Sequence, residues 1–217
     1  MERVWLSPPH MGGTEQKYVQ EAFQSNWVAP LGPNVDFFEK QLTTYTNTAG
    51  AVSLSSGTAA LHLGLLALGV KPGDVVICQS MTFAASAFPI QYIGAEAVFI
   101  DSETETWNMD PVLLKQAIED LLNKNQKPSA IVVVHLYGMP AKMNEILEIA
   151  TSYEIPVIED AAEALGSKYF DKPCGGLGDI GVLSFNGNKI ITTSGGGAIL
   201  TNNETLARQA KHLSTTA

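Results

Sequence analysis

From Ala51 onward the sequence alternates short apolar segments with amphipathic ones, and this alternation constrains the fold more than any other feature. The apolar segments predict strands at Ala51–Leu54, Asp74–Cys78, Ala97–Ile100, Ala130–His135, Pro156–Glu159, Gly181–Phe185 and Gly197–Leu200. The intervening segments predict helices over Thr58–Leu68, Thr82–Tyr92, Asp110–Asn123 and Lys142–Tyr153. Because parallel strands need crossover connections, we expect an α/β fold with a mostly parallel sheet that is covered by helices on both faces.

Three further helices are predicted outside this alternating region. Thr14 can cap a helix that runs to about Ser25, and Asn34 can start another that runs to about Tyr45. The segment 27–33 between them contains two prolines and a glycine, which predicts a loop. A last helix is predicted from about Asn203 towards the end of the chain.

Composition excludes several classes of protein. Lys and Arg number 13 against 22 Asp and Glu, a net charge of −9, which argues against a nucleic-acid or membrane-surface partner. Hydrophobic residues make up 45% of the chain, too many for a disordered protein. Two distant cysteines, Cys78 and Cys174, exclude a disulfide scaffold and favour a reducing compartment. The N-terminus lacks a signal-like apolar core and no histidine has a metal-ligand spacing, so we expect a soluble, cytoplasmic protein without a metal.

Polar residues just after the strands are the candidate site residues, because ligands of open parallel sheets bind beyond the carboxyl ends of the strands. Ser56, Gly57 and Thr58 join a strand to the start of a helix. Free backbone N–H groups and the helix dipole there favour a phosphate, and glycine lets the backbone approach it closely. An ordinary Ser/Thr helix cap is the alternative interpretation.

Two side chains after other strands suit a planar, positively charged ring. Asp160 ends a strand, where a poorly solvated carboxylate needs a cationic partner such as a protonated pyridine nitrogen. Phe83 follows another strand and could stack on such a ring. The alternatives are an acidic helix N-cap for Asp160 and a core aromatic for Phe83.

A lysine follows the strand that ends near Ser184. The tight turn at Asn186-Gly187 presents Lys189, which is flanked by glycines and apolar residues. An amine in such surroundings is a candidate for forming a Schiff base, although a surface lysine after a turn is the alternative. A phosphate cradle, a carboxylate, a stacking ring and an amine together match what pyridoxal 5′-phosphate (PLP) requires.

Two further motifs are discounted. Gly176–Gly181 satisfies G-x-G-x-x-G, but it precedes a strand and opens no helix, which argues against a nicotinamide-dependent oxidoreductase. The glycosylation sequon at Asn203 is treated as incidental.

Several segments resemble the DegT/DnrJ/EryC1/StrS family of PLP-dependent nucleotide-sugar aminotransferases. They are Ser56–Leu63, Glu159–Gly166 and Gly178–Gly197. Members have the aspartate aminotransferase-like fold, PLP fold type I. Within the family, Leu6–Gly13, Ala29–Gly32, His135–Gly138 and Asn186–Gly197 resemble the C4-aminotransferases of bacillosamine synthesis, and the run Thr193–Gly197 supports that subgroup.

The resemblance implies a role for each matched residue. Lys189 would bond covalently to PLP, with Asn188 beside it. Asp160 would pair with the pyridinium nitrogen, Phe83 would stack on the ring, and Glu163 would contact the ring near its phenolic oxygen.

The remaining matched residues and partners follow the same resemblance. Gly57, Thr58 and Ser184 would bind the phosphate. The amino donor would be glutamate and the acceptor a UDP-linked 4-keto-6-deoxy-N-acetylhexosamine, contacted by the loop Asn26–Gly32 and the turn His135–Gly138. Residues 1–217 would comprise the N-terminal segment and the large domain of a longer, homodimeric enzyme whose small C-terminal domain lies beyond Ala217. A PLP-binding fragment that is inactive alone is an alternative. A PLP-dependent sugar dehydratase is another, but those members replace the lysine with histidine.

Overall fold

A computed structural model describes residues 3–5 and 7–215 of the chain. Leu6, the first residue of one motif quoted above, and Thr216 and Ala217, the end of the last predicted helix, lie outside the described residues. The helices are α1 Glu15–Gln24, α2 Pro33–Thr46, α3 Gly57–Ala67, α4 Phe88–Tyr92, α5 Pro111–Asn123, α6 Met143–Ser152 and α7 Glu204–Thr215. The strands are β1 Gly50–Leu54, β2 Val75–Gln79, β3 Glu96–Ile100, β4 Ala130–Val134, β5 Val157–Asp160, β6 Lys168–Tyr169, β7 Lys172–Pro173, β8 Ile180–Ser184 and β9 Gly197–Thr201.

Seven strands form one mixed sheet in the order β1-β9-β8-β5-β4-β2-β3. The pairs from β8 to β3 are all parallel, whereas β9 runs antiparallel to both β1 and β8. The short strands β6 and β7 form a separate hairpin. The expected mostly parallel sheet is therefore confirmed, with one antiparallel strand inserted near an edge.

Helices pack on both faces of this sheet, as the continuous apolar strands require. On one face, Leu61 and Leu65 of α3 share a buried cluster with residues of β2, β5, β8 and β9. On the other face, Leu114 and Ile118 of α5 share a second cluster with Ile146 of α6 and residues of β2 and β4. A third cluster joins α2 to the β8–β9 end of the sheet.

The helix predicted over Thr82–Tyr92 is wrong as a single element. The chain instead forms a 3₁₀ turn over Ala84–Ser86, and a short α4 begins only at Phe88. Phe83 has an extended backbone, and Pro89 lies in the first turn of α4, where its missing N–H costs nothing. The break directs Ser86 inward, where it is buried.

Most other element boundaries differ from the predictions by one residue. The second helix begins at Pro33, with Gly32 as its N-cap at a φ of 130°, so the predicted start at Asn34 is one residue late. Thr14 is the N-cap of α1 but makes no side-chain capping bond. Asp160 is the last residue of β5.

Two features are absent from the described part of the chain. No helix between residues 3 and 215, Leu6 aside, is long and apolar enough to cross a membrane. Among the same residues, no group of three or more His, Cys, Asp or Glu side chains is placed to hold a metal ion.

Candidate active site

The segment Ser56–Thr58 forms the N-terminus of α3, where it caps the helix and can also bind an anion. Ser56 is the N-cap, and its Oγ accepts a hydrogen bond from the N–H of Ala59 at 3.0 Å. The N–H groups of Gly57 and Thr58 belong to the first turn, which has no preceding carbonyls to bond. A Cβ on Gly57 would lie 2.9 Å from the Cβ of Ser184, so only glycine allows this approach of α3 to β8. The helix is capped and still presents donors for an anion.

Asp160 lies at the end of β5 with its side chain almost fully buried. Its Oδ2 accepts a hydrogen bond from Ser86 Oγ at 2.6 Å, and its Oδ1 accepts one from the N–H of Ala162 at 3.2 Å. Burial raises the pKa of Asp160, whereas these two hydrogen bonds and the charge of Lys189 lower it. Among the described residues neither oxygen contacts a cationic side chain within hydrogen-bond distance. Ser86 was missed in the sequence because the predicted helix gave it no inward direction.

Lys189 follows a tight turn in which its N–H donates to the carbonyl of Asn186 at 3.0 Å. The Lys189 Nζ donates to Glu163 Oε1 at 2.9 Å, and this ion pair is mostly shielded from solvent. The second oxygen of Glu163 accepts the backbone N–H of Tyr137 at 3.1 Å. The turn therefore holds the amine inside the protein, which contradicts the alternative of a surface lysine.

Every candidate residue lines one cavity of about 700 Å³ at the carboxyl ends of the parallel strands. They are Gly57, Thr58, Phe83, Asp160, Glu163, Ser184, Asn188 and Lys189. Phe83 is 77% exposed, so the alternative of a core aromatic is wrong. The cavity combines an anion-binding helix start, a buried carboxylate and an amine, which suits a ligand with an anionic tail and a cationic ring.

Of the two segments proposed for sugar contact, the structure brings only one to this site. Leu136 and Tyr137, in the turn after β4, line the cavity. Tyr137 has a left-handed backbone, with a φ of 50°, and its side chain is exposed. The loop Asn26–Gly32 contributes no described residue to the cavity.

A buried carboxylate next to Asp160 was not singled out in the sequence. Glu159 is fully buried, and its Oε1 accepts the N–H groups of Leu177 at 2.6 Å and Gly178 at 2.7 Å. Its Oε2 accepts the N–H of Gly175 at 2.8 Å and lies 2.9 Å from His135 Nε2. Backbone donors carry no side-chain signature, so the sequence offered no signal for this site.

The buried ring of His135 completes this network. The N–H of Ala141 donates to His135 Nδ1 at 3.1 Å, so that nitrogen carries no proton, and Nε2 donates to Glu159. Burial lowers the pKa of His135, but interactions with Cys174 and Glu159 outweigh it and raise the pKa to about 9, which favours the charged ring. The hydrogen bond from Ala141 argues the other way, because a proton on Nδ1 would oppose that donor, and on this geometry we assign the neutral ring.

The backbone of the glycine motif Gly176–Gly181 therefore binds the carboxylate of Glu159, a side chain of the protein. It leads into β8 and opens no helix, as the sequence indicated. A Cβ on Gly178 would lie 2.8 Å from the carbonyl oxygen of Val157, and one on Gly181 would lie 2.0 Å from that of Gly175. The glycines permit close packing of the loop around β5.

Comparison with known proteins shows which family the chain belongs to. The model of the DegT/DnrJ/EryC1/StrS aminotransferase family matches residues 9–217. The chain is 52% identical, over its whole length and 56% of the relative's, to EpsN of Bacillus subtilis (strain 168), whose name proposes a pyridoxal phosphate-dependent aminotransferase. It is 42% identical to the GDP-perosamine synthase of Escherichia coli O157:H7, over 98% of this chain and 57% of that one.

A solved structure is also similar to this chain. Spr1654 of Streptococcus pneumoniae, described as a sugar aminotransferase in its PLP form, superposes with a TM-score of 0.89 at 31% identity. The match covers 98% of this chain and 58% of that one. The chain spans little more than half the length of these relatives. On the family match over residues 9–217 and these identities, the chain belongs to the DegT/DnrJ/EryC1/StrS aminotransferase family.

Proposed function

We propose that residues 1–217 are the N-terminal segment and large domain of a PLP-dependent nucleotide-sugar aminotransferase. The enzyme transfers an amino group from glutamate to C4 of a UDP-linked 4-keto-6-deoxy-N-acetylhexosamine. The observation that carries this proposal is one cavity lined by Lys189, Asp160 and the start of α3. A smaller C-terminal domain would follow in the full-length protein, since the matched relatives are nearly twice as long.

The residues at the start of α3 fit the phosphate of PLP. The N–H groups of Gly57 and Thr58 are unused by the helix, and the Thr58 and Ser184 side chains line the same cavity. The helix dipole adds a partial positive charge there. This end of the cavity would fix the position of the cofactor.

Asp160 fits the protonated ring nitrogen of PLP. Burial raises its pKa, so a cation close to its carboxylate would relieve the cost of ionising it. The hydrogen bonds from Ser86 and Ala162 fix the direction of the carboxylate. Held in this way, Asp160 keeps the proton on the ring nitrogen, and PLP then supplies an electron-withdrawing ring and an aldehyde that takes up the amino group.

Lys189 has two tasks in this proposal. Its Nζ would hold the cofactor covalently, and as a free amine it would move the proton at the Cα of the amino donor. Glu163 holds Nζ at 2.9 Å and directs it into the cavity. Phe83 covers the ring, and Asn188 lies beside the amine, its Oδ1 fixed by Asn186 Nδ2 at 3.0 Å.

The two candidate acceptor sugars differ in the nucleotide to which the sugar is linked. The UDP-linked sugar rests on the resemblance of the motifs around Lys189 to the bacillosamine enzymes. The 42% identity to a GDP-perosamine synthase favours a GDP-linked sugar as the second candidate. A dehydratase is disfavoured because Lys189 is present.

The test of the cofactor assignment is borohydride reduction of the PLP-loaded protein followed by peptide mass spectrometry. We expect a pyridoxyl group on Lys189 and none in the Lys189→Ala variant. Lys172→Ala, in the hairpin β6–β7, is the matched control and should label normally. A label on another lysine in the wild type would refute the assignment.

The test of the reaction uses the full-length protein. We expect 2-oxoglutarate to form from glutamate, and an amine to appear on the UDP-linked or the GDP-linked 4-keto sugar. PLP binding without release of 2-oxoglutarate would instead favour a binding module.

Two further parts of the proposal concern the whole protein. Exposed apolar side chains on α1 and after it, among them Phe23, Trp27 and Val28, support a homodimer, which sedimentation of the full-length protein would test. Both cysteines are free and buried, which supports a cytoplasmic location.

A further inference from the structure

Two hydroxyl groups connect the buried carboxylate of Asp160 to the wall of the cofactor cavity. The Ser86 Oγ donates to Asp160 Oδ2 at 2.6 Å, and the Thr82 Oγ1 lies 2.7 Å from the Ser86 Oγ. Ser86 is buried, whereas Thr82 lines the cavity. The three side chains therefore form a continuous hydrogen-bonded chain, which we call the hydroxyl chain.

The ionised form of Asp160 fixes the direction of both hydrogen bonds. A carboxylate only accepts hydrogen bonds, so the single proton of the Ser86 hydroxyl must point to Asp160. The Ser86 Oγ then accepts from Thr82, whose hydroxyl has to be the donor. Because each hydroxyl polarises the next in such a chain, Thr82 strengthens the hydrogen bond that Ser86 makes to the carboxylate.

The backbone around the two hydroxyls ties them to the sheet. The 3₁₀ turn Ala84–Ser86 brings the last of its residues to the side chain of Thr82. At the start of this segment, Gln79 Nε2 donates to the carbonyl of Met81 at 2.8 Å. Gln79 is fully buried at the end of β2, and its Oε1 accepts the N–H of Val134 at 3.1 Å. The hydroxyls are therefore held by the framework of the sheet.

The titratable groups around Asp160 come from three elements. Burial has the largest effect on the pKa of Asp160 and raises it, and the hydrogen bond from Ser86 is the largest of the effects that lower it. Lys189, after β8, lowers this pKa through its charge, and His135, after β4, would do so only with a charged ring. Burial and the charge of Asp160 raise the pKa of Cys78 in β2 to about 12, which keeps that thiol neutral.

We propose that Thr82 and Ser86 are positioning residues that keep Asp160 ionised for the cationic ring of the cofactor. Ser86 acts on the carboxylate directly, and Thr82 acts through Ser86. The inference rests on the proposed function and assigns a task to the hydroxyl of Thr82, as distinct from the shape of its side chain.

The first experiment measures the affinity of the full-length protein for PLP by fluorescence titration over a range of pH. Thr82→Val keeps the side-chain shape and removes the hydroxyl, whereas Thr82→Ser keeps the hydroxyl. We expect PLP binding to weaken about tenfold in Ser86→Ala and about threefold in Thr82→Val, and to change less than about twofold in Thr82→Ser. In the two weakened variants the loss of affinity on acidification should begin at a higher pH, because Asp160 with a higher pKa becomes protonated earlier.

Thr46→Val is the matched control. The hydroxyls of Thr46 and Thr48 form another buried pair, 3.0 Å apart, and neither residue lines the cofactor cavity. The control should lower the free energy of unfolding and leave PLP affinity within about twofold of the wild type, with an unchanged pH dependence.

The second experiment needs no cofactor. Because burial raises the pKa of Asp160, the free energy of unfolding of the cofactor-free protein should fall as the pH rises from the ordinary pKa of 3.8 to the higher pKa of the folded state. In Ser86→Ala and Thr82→Val this fall should continue to a higher pH than in the wild type. Adding Asp160→Asn to either variant should remove it.

A Thr82→Val variant with the pH dependence of the wild type in both experiments would overturn the proposal, and so would an equal loss of PLP affinity in Thr46→Val. If the wild type binds no PLP, the aminotransferase proposal fails. A shifted pH dependence of unfolding in Ser86→Ala and Thr82→Val, but not in Thr46→Val, would then still support the hydroxyl chain as the group that keeps Asp160 ionised.

Discussion

Replacing Glu159 with glutamine should destabilise the fold although it changes the side-chain shape very little. Each of the two carboxylate oxygens of Glu159 accepts two hydrogen bonds, and all four donors are protein groups. A glutamine keeps one oxygen, so its NH₂ group must face two donors. If it faces His135 and Gly175, the ring can change tautomer only by giving up the bond from Ala141 to Nδ1.

The magnitude follows from the number of donors left without a partner. Two donors, buried or partly buried, are unsatisfied in either orientation of the amide, at about 1–3 kcal/mol each. A neutral amide costs less to bury than a carboxylate, which offsets part of this loss. We expect a net decrease of about 2–4 kcal/mol in the free energy of unfolding.

Urea denaturation of the cofactor-free protein, followed by circular dichroism, measures this change. Glu119→Gln is the matched control, since Glu119 accepts a hydrogen bond from Tyr153 at the surface and should change stability by less than about 0.5 kcal/mol. Hydrogen exchange should also accelerate at the amides of Leu177 and Gly178. A Glu159→Gln variant as stable as Glu119→Gln would refute the assigned network.

Three further predictions concern single side chains. Burial raises the pKa of Asp160, so the protonated side chain stabilises the fold and this stabilisation is lost as the pH rises. Asp160→Asn should therefore make the cofactor-free protein more stable than the wild type at neutral pH. In thermal melts this difference in stability should vanish below the ordinary pKa of 3.8. Gly57→Ala places a Cβ 2.9 Å from that of Ser184 and should weaken PLP binding about tenfold in a fluorescence titration. Burial raises the pKa of Glu103, but hydrogen bonds from Thr106, Glu105 and Lys142 outweigh it and lower the pKa from 4.5 to about 2. The stability that ionised Glu103 contributes is therefore lost as the pH falls through this range, and Glu103→Gln should flatten acid unfolding there.

The strands and most helices were predictable because each carries its signal in its own residues. The break at Phe83–Phe88 was not, because the side chains of Thr82 and Ser86 bond to each other at 2.7 Å and Ser86 bonds to Asp160, far along the chain. A local pattern of apolar residues contains no information about such a distant partner.

The candidate site likewise has a part that could be predicted from local sequence and a part that could not. Lys189, Asp160 and Gly57 follow strand ends, and the rule for open parallel sheets brings them to one edge without knowledge of their contacts. The environment of Glu159 could not be predicted, because it is built from backbone N–H groups of Gly175, Leu177 and Gly178. Their position depends on the conformation of the loop and not on any side chain.

The position of β9 has a consequence for how the protein is made. Among the described strands, the edge strand β1 has β9 as its only neighbour in the sheet, and Gly50 pairs with Thr201. Gly197, at the start of β9, packs so closely on Ser56 that a Cβ would lie 2.3 Å from the Ser56 carbonyl carbon. During synthesis on the ribosome, β1 and the first turn of α3 cannot complete their packing until residues 197–201 have emerged. A nascent chain that ends before β9 should therefore be unable to hold the cofactor phosphate.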